Sequence, residues 1–401
     1  MTRSEELVHQ LCRRSFLSMW SLPNPRGKDA RKELCDVLVV CDPDVIVFSV
    51  KEVTYKESPD LSTGMDRWLS RAVKDSIKQI YGAERFLKRV DRVQDRTGAD
   101  WLYLPPLERR RVHRIAVALG SRGEVPIADG DSGKGFVHVL EENGLLALLG
   151  ELDTITDFVE YLRKTEAFLE NGQLMVAGLE NLLGFYLQQG RAYPRDVSLM
   201  IVEDDIWSGL KDQEDFVRRK AAEQVSYLWD ALIEHILGEN EPTLSVGYGH
   251  ERDPNPRVEQ VARIMARESR FARRLLAEAF REFHQGRNIR SRMVGSPSGV
   301  TYVYLARPKE WPREARTEEL LARMFIARGT YPGATTIVGI ATEEFSPGSG
   351  FSLDVAVLEK DSWTDEDQAE MDELVRTTGA FASPDWSERN EVEYPPGEEG
   401  S

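Results

Sequence analysis

The chain reads as an α/β protein, with apolar strands alternating with amphipathic helices at both ends and a mainly helical region between them. Three observations predict this. Short apolar runs bounded by Gly, Pro and Asp, such as "DVLVVCDPDVIVFSV" (36–50), have the length and composition of strands. Longer stretches, such as 4–19 and 257–285, repeat apolar residues at three- and four-residue spacing. A chain of 401 residues is also too long for one core. The expected division is an α/β domain over 1–150, a helical region over 151–285, a small α/β domain over 286–381 and an acidic, disordered tail over 382–401.

Composition narrows the function classes. With 41% apolar and 30% charged residues the chain is globular. It contains no apolar run of membrane-spanning length, and "MTRSEELVHQ" lacks the apolar core of a signal peptide. Its three cysteines, Cys12, Cys35 and Cys41, show no zinc spacing, which points to a reduced, cytoplasmic protein with no membrane partner. A net charge of −16 argues against nucleic acid coating the whole surface, but permits a local basic track.

In order along the chain, Ser4 is the expected N-cap of a helix over 4–19, and "LPNPRGKD" (22–29) breaks it. Strands over 36–41 and 45–53 are joined by the "DPD" turn (42–44), and a long helix covers 61–90. Further strands are expected at 113–119, 135–140 and 196–203, the last one interrupting three helical stretches between 151 and 240. "GENEPTLSVGYGHERDPNP" (238–256) is a connector. A helix over 257–285, strands near 291–306, a helix near 314–328, strands near 334–342 and 351–358 and a helix near 364–377 follow.

The hairpin carries the chemistry. Alternation puts Val45, Val47, Ser49 and Lys51 on one side of the second strand, and Ile46, Phe48 and Val50 on the other. Asp36 opens the neighbouring strand. A lysine beside a sheet core needs a nearby anion to offset its desolvation, and Asp36 can supply it. Hard cations such as Mg²⁺ (or Mn²⁺) take carboxylate oxygen and keep several waters. A metal held there lowers the pKa of a bound water and offsets charge on a phosphate.

These residues resemble the restriction-endonuclease-like, PD-(D/E)xK, nuclease superfamily over about residues 4–90. That family carries a helical Glu, an Asp at a strand start and an acid-x-Lys on the next strand. Here Glu5 lies on the first helix, Asp36 follows, "SVK" (49–51) ends the second strand, and Gln79 matches a polar position on the next helix. The resemblance implies a restriction-endonuclease-like fold for the N-terminal region and a Mg²⁺-dependent endonuclease acting on nucleic acid, DNA above all. Its implied setting is restriction or antiviral defence in a prokaryote. Asp36 would hold the metal, Lys51 would position the attacking water, and Gln79 would help orient Lys51 or the substrate. Ser49 stands where the family has its second acid. Glu33 is the preferred substitute and Glu5 the other, while Glu52 points to the opposite face. The alternative is an inactive nuclease fold serving as a binding or scaffold subunit. A homo-oligomer and a regulatory partner protein both stay open.

A second feature is "RVEQVARIMARESRFARRLLAEAFREFHQGRNIRSR" (257–292), with ten arginines and no lysine. Arg263, Arg267, Arg270, Arg274 and Arg281 fall within a narrow arc of a helix, opposite Val261, Met265, Ala272, Leu275, Ala279 and Phe283. Such a row suits phosphates of DNA. It equally suits a solvated face or intrachain ion pairs. "DGDSGKGF" (129–136) lacks the spacing of a phosphate loop and leads into a strand, so it is set aside. Asp153 with Thr154 reads as a helix cap, and His113 and His138 as structural.

Overall fold

A computed structural model of the chain describes residues 1–27, 33–98, 101–121, 123, 125, 129–170, 173–195, 197–237, 256–286, 290–331, 333–344, 352–382, 387, 389 and 391–394. Nearly all of the connector expected over 238–256 lies outside them. The protein is mixed α/β with several sheets, in two compact units that divide between Val217 and Arg218.

The N-terminal unit opens with helix α1 (Arg3–Phe16). Its N-cap is Thr2, two residues before the expected Ser4. The Thr2 hydroxyl accepts from the Glu5 amide and the Glu5 carboxylate accepts from the Thr2 amide, a reciprocal box that fixes the start. Strand β1 (Ser21–Pro23) falls in the segment expected only to break the chain, and it pairs antiparallel with β2 (Val37–Cys41). The hairpin then forms as read, with β2 antiparallel to β3 (Asp44–Glu52).

The long helix expected over 61–90 is three pieces. A π-turn over Ser70–Lys74 joins α2 (Leu61–Leu69) to α3 (Asp75–Leu87) and resets the helix phase. A small hairpin, β4 (Arg92–Gln94) with β5 (Trp101–Tyr103), was not legible in the sequence. Next come β6 (Arg111–Leu119), β7 (Gly130–Asp131) and β8 (Phe136–Leu140). The six-stranded sheet has the order β1-β2-β3-β6-β8-β7, with β3, β6 and β8 mutually parallel. Strand β3 is therefore interior and buried through Val50.

Side chains sort by parity. Leu38, Val40, Val45 and Val47 pack with Trp68, Ala72 and Ile80 in one core, on the α2–α3 side. The other side meets α1. The rejected glycine loop is closed by its own aspartate: Asp131 Oδ1 accepts from Gly133 N (2.6 Å) and Gly135 N (2.9 Å).

Helices α4 (Glu142–Glu151) and α5 (Ile155–Leu169) belong to this unit, not to a separate helical region. Helix α4 packs on α1, and Phe16 meets Phe158 at 5.2 Å between ring centres. Thr154 caps α5, as the sequence indicated. The stretch 173–189, expected to be helical, divides into β9 (Gln173–Val176) and α6 (Leu179–Gln188). Pairing of β9 with β10 (Leu199–Val202) overrides helix propensity there, and Gly178 makes the corner at φ +96°. Helix α7 (Ile206–Lys211) follows, and α8 (Glu214–Glu223) spans the division between the units.

The C-terminal unit contains α9 (Tyr227–Leu237), α10 (Pro256–Ala266), α11 (Arg270–Gln285), β11 (Ser291–Gly295), β12 (Thr301–Arg307), α12 (Arg313–Thr330), β13 (Thr336–Glu343), β14 (Leu353–Glu359) and α13 (Asp365–Thr378). Its sheet runs β11-β12-β13-β14, parallel only between β12 and β13. Val303 and Leu305 pack against Leu320 and Met324 of α12. Tyr302 and Tyr304, of opposite parity, meet Trp229 and Phe280 edge-on. Gly339 is required where α12 crosses the sheet, because a Cβ would collide with Met324 and Leu320.

The arginine row is not one continuous face. The expected helix over 257–285 breaks after Ala266, and Ser269 caps the new helix by accepting from Ala272 N. Arg270 is buried with Nη1 2.9 Å from Asp230 Oδ2, its guanidinium over the Tyr227 ring. Arg273 reaches Asp230 Oδ1 at 2.5 Å. Arg274 is buried and donates to the carbonyls of Val392 and Glu393, residues expected to lie in a disordered tail. Arg263 pairs with Glu259 at 3.5 Å, Arg267 is half-buried, and Arg281 is exposed. Asp230 and the two carbonyls draw Arg270 and Arg274 inward, so intrachain contacts describe the centre of this row, while Arg281 stays exposed. Val261, Met265, Ala272, Ala279 and Phe283 are buried as the periodicity required, with Leu275 half-buried.

Two predictions follow from these buried charges. Asp230→Ala removes a carboxylate shared by two buried guanidinium groups and should cost about 3–5 kcal/mol in urea unfolding, whereas exposed Arg281→Ala should stay within about 0.5 kcal/mol. His138 lies between Asp129 (3.3 Å) and Glu166 (3.0 Å), with Arg114 also acting on Glu166. Burial opposes the His138 charge, but the two carboxylates outweigh it and hold its pKa up at about 9. A raised histidine pKa stabilises fully below its unfolded value of about 6.5 and is lost as pH rises through the folded value. Thermal unfolding from pH 6 to 10 should therefore show stability falling between roughly 6.5 and 9, and His138→Gln should flatten that slope.

Candidate metal and water site

Asp36 continues the row of Leu38 and Val40, and Ser49 and Lys51 continue the row of Val45 and Val47, on the same side of the sheet. The ladder sets their register. The Asp36 amide donates to the Phe48 carbonyl at 3.1 Å, and the Asp36 carbonyl accepts from Asn24 at 2.9 Å. With its backbone so held, Asp36 Oδ2 accepts from the Val50 amide at 2.5 Å. Lys51 Nζ stands 4.0 Å from that oxygen, its side chain 34% exposed against 3% for Asp36. The pair is thus anchored inside and open outside. Asp36 Oδ1 has no hydrogen-bond partner among the described residues.

Ser49 Oγ donates to Gln79 Oε1 at 3.0 Å, tying the strand to α3 where the sequence placed both. The π-turn lies upstream of Gln79 in the same run of helix, between α2 and α3. The other acids divide. Glu52 turns to α1 and accepts from the Ser4 hydroxyl. That contact is available because Thr2, not Ser4, is the cap. Glu5 is engaged with the Thr2 amide at 2.8 Å, and Glu33 is exposed on a bridge to Arg26. Burial pushes the Asp36 pKa up. The Val50 amide and Lys51 pull it back, and Glu5 and then Glu33 push it further up. Glu5 therefore acts on Asp36 more strongly than Glu33, the preferred substitute on sequence grounds.

The site fits a hard cation in part. One oxygen of the buried Asp36 carboxylate accepts no hydrogen bond among the described residues, and Glu5 and Glu33 lie close enough to act on that carboxylate electrostatically. Mg²⁺ is satisfied by one or two carboxylates with waters filling the rest. Among the described residues no group of three or more His, Cys, Asp or Glu forms a ready cage. The Val50 amide is the contact that sequence reasoning missed, since a backbone donor leaves no residue-type signal. His113 pairs with buried Asp44 at 2.9 Å, and like His138 it is held by carboxylates.

No family model, no curated protein and no solved structure matches the chain. No helix among the described residues is long and apolar enough to cross a membrane.

A buried carboxylate with a raised pKa costs stability once it ionises. That cost is absent below the unfolded pKa of about 4 and complete above the folded one. Asp36→Asn keeps an oxygen for the Val50 amide while removing the charge. It should raise the thermal midpoint at neutral pH by about 2–4 °C, the shift that about 1 kcal/mol produces in a domain of this size. The gain should vanish near pH 3.5, and a variant less stable than the parent at pH 7 would contradict this account of Asp36.

Proposed function

We propose that the N-terminal unit hydrolyses phosphodiester bonds of nucleic acid, DNA above all, with Mg²⁺ or Mn²⁺. The observation that carries the reading is the Asp36–Lys51 pair: a buried carboxylate anchored by a backbone amide through one oxygen, which lies 4.0 Å from a half-exposed amine, its other oxygen not hydrogen-bonded among the described residues. A divalent cation on Asp36, aided by Glu5 or Glu33, would acidify a bound water and offset charge on the phosphate. Lys51 would position that water and add positive charge beside it. Gln79, through Ser49, keeps the strand end in place. The setting of restriction or antiphage defence in a prokaryote rests on the resemblance to PD-(D/E)xK nucleases alone.

A second reading is favoured by one contact. Ser49, in the place of the second acid, is bonded to Gln79 and offers no charge. In that reading the unit binds without cutting.

Cleavage of duplex and single-stranded DNA and RNA in Mg²⁺ and Mn²⁺ separates the two. Asp36→Ala and Lys51→Ala should each lower the rate by at least about 100-fold, with circular dichroism unchanged. A parent protein that cuts none of the four substrates in either metal would leave only the binding subunit.

A further inference from the structure

We infer that the N-terminal unit carries a separate groove for a nucleic-acid strand, formed by the end of α3, the β4–β5 hairpin and the segment leading into β6. The groove has a volume of about 880 Å³, within the range of ligand sites. Arg26, Lys88, Arg89, Arg92 and Arg110 line it against a single acid, Asp91. On a protein of net charge −16 this is a marked local excess of positive charge.

Arg110 shows the imbalance best. Its guanidinium is half-buried and donates only to carbonyls, Pro105 O at 2.7 and 2.9 Å, Val90 O at 3.3 Å and Leu87 O. Among the described residues no carboxylate is paired with it; Asp91 and Glu108 act only at longer range. Burial pulls its pKa down, so the wall holds a cation that an incoming anion would stabilise. Lys88 and Arg89 are exposed at the rim, Lys88 sharing Glu84 at 3.0 Å.

The walls between these cations are apolar: Phe86, Val90, Leu104, Pro105, Pro106 and Leu107, the last 56% exposed. A bare anion site has no use for such surface. A strand offers phosphates together with sugars and bases, and the groove sets cations beside hydrocarbon and an aromatic ring, the two kinds of surface such a strand needs. The ligand class is therefore an oligonucleotide.

This inference is independent of cleavage, because binding is read in EDTA. The probe is a fluorescently labelled twelve-nucleotide single strand, as DNA and as RNA, in fluorescence anisotropy across a salt series. Arg89→Glu with Arg92→Glu should weaken binding at least about tenfold and flatten the salt dependence, since fewer counterions are released. Arg13→Glu with Arg163→Glu, equal in charge and exposed on α1 and α5, should leave affinity within about twofold. Leu107→Asp should weaken the oligonucleotide more than inorganic polyphosphate. No binding of either strand by the parent, an unchanged affinity in the Arg89/Arg92 variant, or equal weakening by both charge pairs would overturn the assignment. Loss of cutting in the Asp36 variant with binding retained here would leave both readings standing separately.

Discussion

The candidate site depends on one interaction, the clasp between the Asp36 carboxylate and the Val50 amide. A carboxylate at this depth loses its water shell, and only fixed donors can replace it. The β2–β3 register supplies them. Pairing Val37 with Phe48 brings Asp36 level with Ser49, so the next amide along β3 points at its side chain. A one-residue slip would turn Asp36 to the α1 side and bury hydrocarbon where the charge now sits. Register, and hence the site, is held by the apolar rows on both faces. A stable sheet core thereby places an ionisable group where it costs stability, which is how functional sites differ from packing sites.

The same charge accounting explains the arginines. A guanidinium row on a helix surface and a set of buried ion pairs look alike on a helical wheel. The difference is Asp230, which lies on another helix and takes both Arg270 and Arg273. In a strongly acidic chain, arginine meets carboxylates of its own fold before it meets a ligand's phosphates. Beside α3, by contrast, Arg110 is held by carbonyls at the end of that helix, with no carboxylate paired to it among the described residues.

Part of the N-terminal arrangement was legible. Alternation within β3 places Ser49 and Lys51 on one side, but the side Asp36 takes depends on the β2–β3 register, and Gln79 stands out only through the family resemblance. Parity also sent Glu52 to the other face, where Ser4 receives it. What escaped has common physical causes. The cap at Thr2 won because its reciprocal bonds with Glu5 satisfy two amides at once. The strand Gln173–Val176 exists only because β10 lies beside it, and no local window contains that partner. The groove draws on residues near 26, 88–92 and 110, which only the tertiary fold brings together. The break before α11 is set by Ser269, a capping side chain lying within an otherwise unbroken apolar periodicity.

The most direct test of the central proposal is Mn²⁺ binding, followed by the loss of the free-ion electron paramagnetic resonance signal across a pH series. The account predicts a binding site that weakens toward acid pH as Asp36 takes up a proton, and that Asp36→Asn abolishes while the fold persists. Mn²⁺ binding of equal strength in the parent and in Asp36→Asn, or no binding by the parent at any pH, would contradict it.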